Sequence, residues 1–224
     1  MVVSDIEVAL TDSMGGDLSV VNAARVSFLK ESCYELDENN EMSLPHGDRK
    51  LVAFLARENH FTPFCHGFAS FRIKAPIFVA RQLGKHQVGL AWNEVSRRYV
   101  NSEPEFFFPD YWRKAAENVK QGSSIEEATD FNEKDARAVC LAAMGLYNTM
   151  LNKGVCAEQA RMVLPQNMMT EWVWSGSLMA FARVCKLRLD PHTQKETRDV
   201  ALYIDKAMRG EFPISWKALN ATTN

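Results

Sequence analysis

The sequence lacks most features that mark secreted, metal-binding and membrane-spanning proteins. Its five cysteines are odd in number and scattered, with no Cys-x-x-Cys pair and no zinc-like spacing to a histidine, so we expect reduced thiols and no metal. No apolar run approaches the length of a membrane span, and the first residues lack the basic start and apolar run of a signal peptide. We therefore expect a soluble, cytoplasmic protein with no membrane partner.

The chain also lacks an excess of positive charge. Its formal net charge is -2 and its sequence pI is about 6.2, so it has no general attraction to nucleic acid and its basic groups must act locally. No repeat or low-complexity tract appears, and no linker divides the 224 residues. We predict one domain over residues 1–224 that binds no nucleic acid.

One stretch, residues 78–99, is unusually rich in hydrogen-bonding groups. It carries five cationic or imidazole groups, three amides, one carboxylate and two hydroxyls, and these alternate with large apolar residues that favour burial. A half-buried segment with so many donors needs an anionic partner that accepts hydrogen bonds. The composition therefore predicts a site for a phosphorylated small molecule.

The N-terminal half shows strand and helix patterns in turn. Residues 6–10 alternate weakly as a strand, and residues 67–73 alternate clearly, with Phe68, Ser70 and Arg72 on one side. We expect Asp48 to cap one helix and Pro76 to begin another. Four-residue spacing would place Arg81 with Lys85, and Gln82 with His86, on neighbouring parts of one face of the second helix.

The C-terminal half reads as mainly helical. Apolar spacing predicts helices over residues 136–150, 156–164 and 178–189, and Asp190 followed by proline is expected to cap the last long helix. Residues 168–174 are rich in tryptophan and methionine, and their pattern leaves open whether they form a strand or an irregular core segment. Residues past Trp92 are expected to be extended, which would put Glu94, Ser96 and Arg98 on one side.

Five polar segments follow one another in a distinctive order. They are His60-Phe61-Thr62-Pro63-Phe64; Lys74-Ala75-Pro76-Ile77-Phe78; Arg81-Gln82-Leu83-Gly84-Lys85-His86-Gln87 with Asn93-Glu94-Val95-Ser96-Arg97-Arg98-Tyr99; Ala160-Arg161-Met162-Val163-Leu164-Pro165; and Leu187-Arg188 with His192-x-Gln194. In this order they resemble the flavin-dependent thymidylate synthases, whose signature is Arg-His-Arg, seven residues, then Ser. The resemblance covers most of the chain.

The chain departs from the family pattern at two places. Lys85 and Gln87 replace the two arginines of the triplet, and eight residues instead of seven precede Ser96, so flavin contacts in this loop must differ from the family norm. Upstream of Arg188 two registers remain open. The ungapped one aligns Ser177, Met179 and Arg183 with the family's polar positions, and the gapped one aligns Trp174, Gly176 and Ala180.

The resemblance implies a fold and a reaction. The fold is α+β, a single domain with an antiparallel sheet flanked by helices and a helix-rich C-terminal half. The reaction converts dUMP to dTMP with methylenetetrahydrofolate as carbon donor and NADPH as reductant acting through FAD. The implied assembly is a homotetramer whose sites are shared between subunits.

The resemblance also implies roles for individual residues. Arg188 is the implied catalytic residue, the fixed cation that makes the uracil ring nucleophilic. The implied dUMP contacts are Gln82, Lys85, Glu94, Ser96, Arg97, Arg98, Arg161 and Arg188. The implied FAD contacts are His60, Thr62, Lys85, His86, Gln87, Glu94, Ser177 and Arg183.

Two other functions remain open at this stage. The altered Lys85-His86-Gln87 triplet is compatible with a related enzyme that hydroxymethylates dUMP without the final reduction. The second possibility is an inactive homologue that binds flavin or nucleotide, against which the presence of Arg188 argues. A thymidylate synthase with a cysteine nucleophile is disfavoured because no cysteine lies in a matching motif.

Overall fold

The computed structural model describes residues 1–100, 102–117 and 122–221. The strands are β1 (Val2–Val3), β2 (Glu7–Met14), β3 (Glu35–Leu36), β4 (Met42–Ser43), β5 (Phe68–Pro76), β6 (Leu90–Glu94), β7 (Glu105–Phe106), β8 (Arg113–Ala115), β9 (Ser123–Glu127) and β10 (Met169–Ser177). The helices are α1 (Asp17–Arg25), α2 (His46–Arg57), α3 (Ile77–Leu83), α4 (Glu133–Asn152), α5 (Ala157–Ala160), α6 (Leu178–Arg188), α7 (Lys195–Glu211) and α8 (Pro213–Leu219).

A four-stranded antiparallel sheet in the order β2-β5-β10-β6 lies at the centre of the fold. The two inner strands pair along their whole length, from Phe68 opposite Ser177 to Pro76 opposite Met169. Every second residue of β5 is buried, including Phe71 and Ile73, as the alternating pattern predicts. The α+β class with an antiparallel sheet and a helix-rich C-terminal half is therefore confirmed.

The undecided segment at residues 168–174 belongs to the central strand β10. Trp172 and Trp174 point from it into the core, where Phe181 of α6 packs edge-on to Trp174 at 5.4 Å between ring centroids. Trp92 of β6 stacks on Trp172 at 4.4 Å. The tryptophans obscured the strand signal because large aromatic side chains fill the space between sheet and helices in either kind of element.

Two predicted helix starts are wrong. Asp48 does not cap α2, which begins at His46; its buried carboxylate instead accepts a hydrogen bond from Arg25 Nε at 2.8 Å. Asp190 does not cap α7, which begins at Lys195; its carboxylate accepts the backbone N–H of His192 at 2.7 Å. Asp48 thus binds a partner distant along the chain, whereas Asp190 forms a local turn contact.

The helix that carries the start of the polar stretch is also shorter than predicted. Pro76 ends β5, and α3 covers only Ile77–Leu83, so Lys85 and His86 lie past its C-terminus and share no helical face with Arg81 and Gln82. β6 ends at Glu94, and residues 97–99 form a turn instead of continuing the strand. The polar stretch is therefore a loop between a short helix and an edge strand, followed by a turn.

Two features are absent from the described residues. None of the helices there combines the length and apolar character needed to cross a bilayer. No group of three or more His, Cys, Asp or Glu side chains in that part of the chain is arranged to hold a metal ion.

Candidate functional site

A cleft of about 820 Å³ opens where the C-terminus of α6 meets the loop after α3 and the β8–β9 hairpin. We call it the Arg188 cleft. Its lining consists of Gln82, Lys85, Arg113, Gly122, Ser123, Leu187, Arg188, Asp190, His192, Thr193 and Gln194. Three predicted substrate residues, Gln82, Lys85 and Arg188, are thus brought together.

Arg188 is held on two sides. It is the last residue of α6, and its Nε donates to His86 Nε2 at 2.9 Å while its Nη2 donates to the backbone carbonyl of Gln82 at 3.2 Å. Burial lowers the pKa of the half-buried guanidinium. Because a guanidinium has five N–H donors, the remaining ones are left for a molecule in the cleft.

His86 is the acceptor in this contact, so its Nε2 carries no proton. Burial lowers the pKa of the imidazole, and the positive charges of Arg188 and Arg183 lower it further. The Trp174 ring lies 6.5 Å away between centroids. Arg183 is thus one of the charges that lower the pKa of His86, the middle residue of the triplet in which Gln87 has replaced an arginine.

Gln82, which lines the same cleft, carries an unsatisfied acceptor. Its side-chain Oε1 is buried and has no hydrogen-bond partner among the residues that the structure describes. Leaving a buried acceptor without a donor costs about 1–3 kcal/mol. Because the atom is buried, the side chain must turn before a molecule in the cleft can reach it.

A second cleft, of about 530 Å³, also uses α6 for part of its wall. We call it the Arg183 cleft. It is lined by Ala53, Leu55, Ala56, Arg57, Asn59, Phe61, Phe64, Met179, Ala182, Arg183, Lys186, Ala218, Leu219 and Ala221. His60 and Thr62 are exposed and alternate along the chain with Asn59 and Phe61, so the structure brings their segment and Arg183 to one place.

Arg98 and Arg161 form a separate cluster around Glu158, and neither lines the two clefts. Arg98 Nη1 lies 3.7 Å from the Glu158 carboxylate, and Arg161 Nε donates to the Glu158 carbonyl at 3.4 Å. Ser96 Oγ accepts from Arg98 Nε, also at 3.4 Å. These long, exposed contacts leave both guanidinium groups accessible. We call Arg98 and Arg161 the open arginines.

Three other predicted residues are engaged in local structure. Glu94 accepts hydrogen bonds from Thr170 Oγ1 at 2.7 Å and Trp92 Nε1 at 3.2 Å. Arg97 Nη1 donates to the carbonyl of Ser102 at 2.7 Å. Ser177 is 4% exposed and its hydroxyl caps α6 through the backbone N–H of Ala180. The flavin role of Ser177 therefore stays a prediction that its burial does not favour.

Arg113 lines the Arg188 cleft but was not predicted from the sequence. Its guanidinium donates two hydrogen bonds to the Glu196 carboxylate, at 2.8 and 3.0 Å, and a third to Ser123 Oγ at 2.7 Å. Burial is the largest influence on the pKa of Glu196 and raises it, but the hydrogen bonds and charge of Arg113, together with backbone and Gln194 hydrogen bonds, outweigh burial, and the net shift is downward. No local motif could have revealed a pair whose members are so far apart along the chain.

Comparison with known proteins places the chain among relatives of one kind. The sequence model of the Thy1 family, described as "Thymidylate synthase complementing protein", matches residues 9–214. A flavin-dependent thymidylate synthase of Thermus thermophilus is 38% identical, over 94% of this chain and 74% of its own. Another, from Kosmotoga olearia, is 33% identical over 94% of this chain and 88% of its own.

Solved structures give a similar result. The UMP/dUMP methylase PolB from Streptomyces cacaoi, in a crystal structure with 5-Br dUMP, is 30% identical and superposes with a TM-score of 0.85. The match covers 98% of this chain and 97% of that one. The same enzyme bound with 5-Br UMP superposes with a TM-score of 0.83.

Proposed function

The chain belongs to the Thy1 family of flavin-dependent thymidylate synthases, and on that premise we propose that it methylates the uracil ring of dUMP to give dTMP. The carbon comes from methylenetetrahydrofolate and the reducing equivalents from NADPH by way of FAD. The observation that carries the proposal is the position of Arg188. It matches the family motif, lines a cleft and has N–H donors beyond those used in its two contacts.

Arg188 has the properties that ring activation needs. C5 of uracil becomes nucleophilic when negative charge on a ring carbonyl oxygen or N3 is stabilised, and a guanidinium stays charged and presents its donors in one plane. Its two contacts, with His86 and with the Gln82 carbonyl, fix the cation before substrate arrives. A donor already in place needs no reorganisation as charge develops. Gln82 lines the same cleft and is the residue that we assign to the base.

The open arginines are suited to the substrate phosphate. Both guanidinium groups are exposed and loosely tethered, so a phosphate that offers charge-assisted hydrogen bonds can replace their present contacts. Because neither residue lines the Arg188 cleft, we propose that the complete site forms between subunits of a homotetramer. A second subunit would then supply the phosphate contacts opposite Arg188.

The Arg183 cleft has the chemistry to hold part of FAD. Its volume, about 530 Å³, lies within the range of ligand pockets, and Phe61, Phe64 and Met179 offer apolar surface for an aromatic ring. Arg57, Arg183 and Lys186 add positive charge for phosphates. His60, Thr62, Lys85, His86 and Gln87 are the further residues that we assign to the flavin. When bound, FAD supplies the redox step, and the protein binds and orients it.

The test is a flavin spectrum combined with product analysis. We expect the purified protein to be yellow, to change its flavin spectrum when dUMP is added, and to form dTMP from dUMP, methylenetetrahydrofolate and NADPH. A protein with no flavin absorption and no saturable FAD binding would overturn the proposal. Partial loss of flavin on dialysis is expected, because Lys85 and Gln87 offer fewer donors than two arginines.

The same assay separates the remaining candidates. A hydroxymethylated nucleotide would identify the alternative enzyme, and flavin or dUMP binding without turnover would identify an inactive homologue. UMP is assayed beside dUMP because the similar solved structure is named as a methylase of both. Methylation of UMP at a comparable rate would widen the substrate class to both nucleotides.

A further inference from the structure

The contact between Arg188 and His86 can form in only one protonation state of the histidine. A guanidinium has donors and no acceptor, so His86 Nε2, at 2.9 Å, must offer its lone pair. A protonated imidazole carries N–H groups on both ring nitrogens and cannot accept. Protonation would therefore break the hydrogen bond and place two cations in contact.

We propose that His86 is a positioning residue that holds Arg188 in its activating geometry only while the imidazole is neutral. The inference rests on the proposed function, since the geometry concerned is that of Arg188 toward the uracil ring. It gives His86 a role separate from flavin contact, because Nε2 is occupied by Arg188 and only Nδ1–H remains for another partner.

The surroundings of His86 favour the neutral form. The α6 helix presents two cations, Arg188 and Arg183, β10 presents the uncharged Trp174 ring, and Lys85 precedes His86 in its own loop. Among the described groups that shift its pKa, none is a carboxylate. Burial lowers the pKa of His86 from its ordinary value of 6.5, and the charges of the two arginines lower it further.

The direction of the pH effect follows from that shift. Above pH 6.5 the imidazole is neutral and the contact with Arg188 is fully formed. As the pH falls through the lowered pKa, the histidine gains a proton and the contact is lost. Turnover at saturating dUMP should therefore decline on the acid side, at a midpoint below 6.5.

Two substitutions at His86 distinguish its role as a hydrogen-bond acceptor from its role as a titrating group. In His86→Gln the amide oxygen can accept from Arg188 Nε but does not titrate, so we expect a higher kcat at pH 8 than in His86→Leu and no acid decline. His86→Leu removes the acceptor, and we expect kcat to fall by roughly tenfold to a hundredfold, with a smaller change in KM for dUMP, because Arg188 is misplaced. A His86→Leu enzyme with normal kcat, or an unchanged acid decline in His86→Gln, would overturn the proposal.

A second measurement does not depend on turnover. In histidine-labelled protein as purified, the NMR signals of His86, assigned from their loss in His86→Gln, report the protonated nitrogen and the pKa. We expect an unprotonated Nε2 and a pKa below 6.5 that rises in Arg183→Gln but not in the control Lys186→Gln. A proton on Nε2 at neutral pH would overturn the inference whether or not dTMP forms, whereas failure to form dTMP with the expected NMR result would overturn only the proposed function.

Discussion

The arginines that we assign to the candidate site are of two kinds, which differ in how firmly they are held. Arg113 and Arg188, the anchored arginines, line the Arg188 cleft, and Arg113 and its partner Glu196 are only 14% and 6% exposed. The open arginines lie outside that cleft, and the side chains of Arg98 and Glu158 are 45% and 62% exposed at a separation of 3.7 Å. The same chemical group is thus fixed in one region and loosely held in the other.

The difference matches what each region is proposed to do. A cation that stabilises charge developing in a transition state works best when it is already in place, because moving it would consume part of the gain. A cation that captures a phosphate must exchange its present partner for the new one, and an exposed ion pair of about 0–1 kcal/mol is easily exchanged. Firm and loose attachment are therefore both useful within one site.

The largest expected difference between the two regions is in stability. Glu196→Ala leaves the Arg113 guanidinium buried without its carboxylate, and loss of one partner from a buried pair costs about 3–5 kcal/mol of unfolding free energy. Glu158→Ala, the matched control in the open cluster, should cost less than about 1 kcal/mol. Denaturant unfolding at one fixed protein concentration measures both, and equal losses would contradict the distinction.

This stability difference also has a predicted pH dependence. The pKa of Glu196 in the folded protein is lowered because burial, which raises it, is outweighed by the combined effect of its hydrogen bonds and the charge of Arg113. A lowered pKa contributes stability above the ordinary value of 4.5, and this contribution is lost as the pH falls through the folded value. The difference in unfolding free energy between wild type and Glu196→Ala should therefore become smaller below pH 4.5.

The second expected effect concerns rate. Arg188→Lys keeps one positive charge but loses the planar set of donors, so dTMP formation at saturating dUMP should fall roughly a hundredfold, equivalent to about 3 kcal/mol. Affinity for dUMP should change far less, and anaerobic reduction of the flavin by NADPH should be largely intact. Near-normal turnover would mean that Arg188 is structural and that another group activates the ring.

The third expected effect concerns affinity. Arg161→Ala should weaken dUMP binding by about 1.5–3 kcal/mol, the range for a hydrogen bond to a charged group, and should slow the bound-state chemistry less. Arg97→Ala is the matched comparison, because the Arg97 guanidinium is already bonded to the carbonyl of Ser102. Calorimetric titration with dUMP measures both, and an unchanged affinity in Arg161→Ala would remove that residue from the site.

The sequence alone predicted the family, which is confirmed, and the strand β5, whose alternation is a local property that survives in the fold. It also singled out Arg188 and His86, but as separate residues. The hydrogen bond between them joins positions 102 residues apart and depends on how α6 packs beside the loop after α3. Periodicity and motif spacing carry no information on such a contact.

The two wrong helix caps have different physical causes. The Asp48 carboxylate bonds to Arg25, a partner that only tertiary packing provides. The Asp190 carboxylate bonds to the backbone N–H of His192 two residues further on, a local turn contact that competes with capping. The Arg113–Glu196 pair was missed because, like Asp48 and Arg25, its members meet only through tertiary packing.

The smallest expected effect comes from Glu158, the carboxylate that the open arginines surround. Glu158→Gln removes a negative charge that competes with the substrate phosphate for Arg98, so dUMP affinity should rise by about 0.2–1 kcal/mol, the worth of an exposed ion pair, with stability unchanged. The gain should shrink at high salt, where exposed charges are screened. Glu126→Gln, which removes the carboxylate from the exposed pair with Lys114, is the control and should leave dUMP affinity unchanged. Weaker dUMP binding in Glu158→Gln would mean that Glu158 holds the open arginines in place for the phosphate. The anchored and open arginines would then differ only in how strongly they are held.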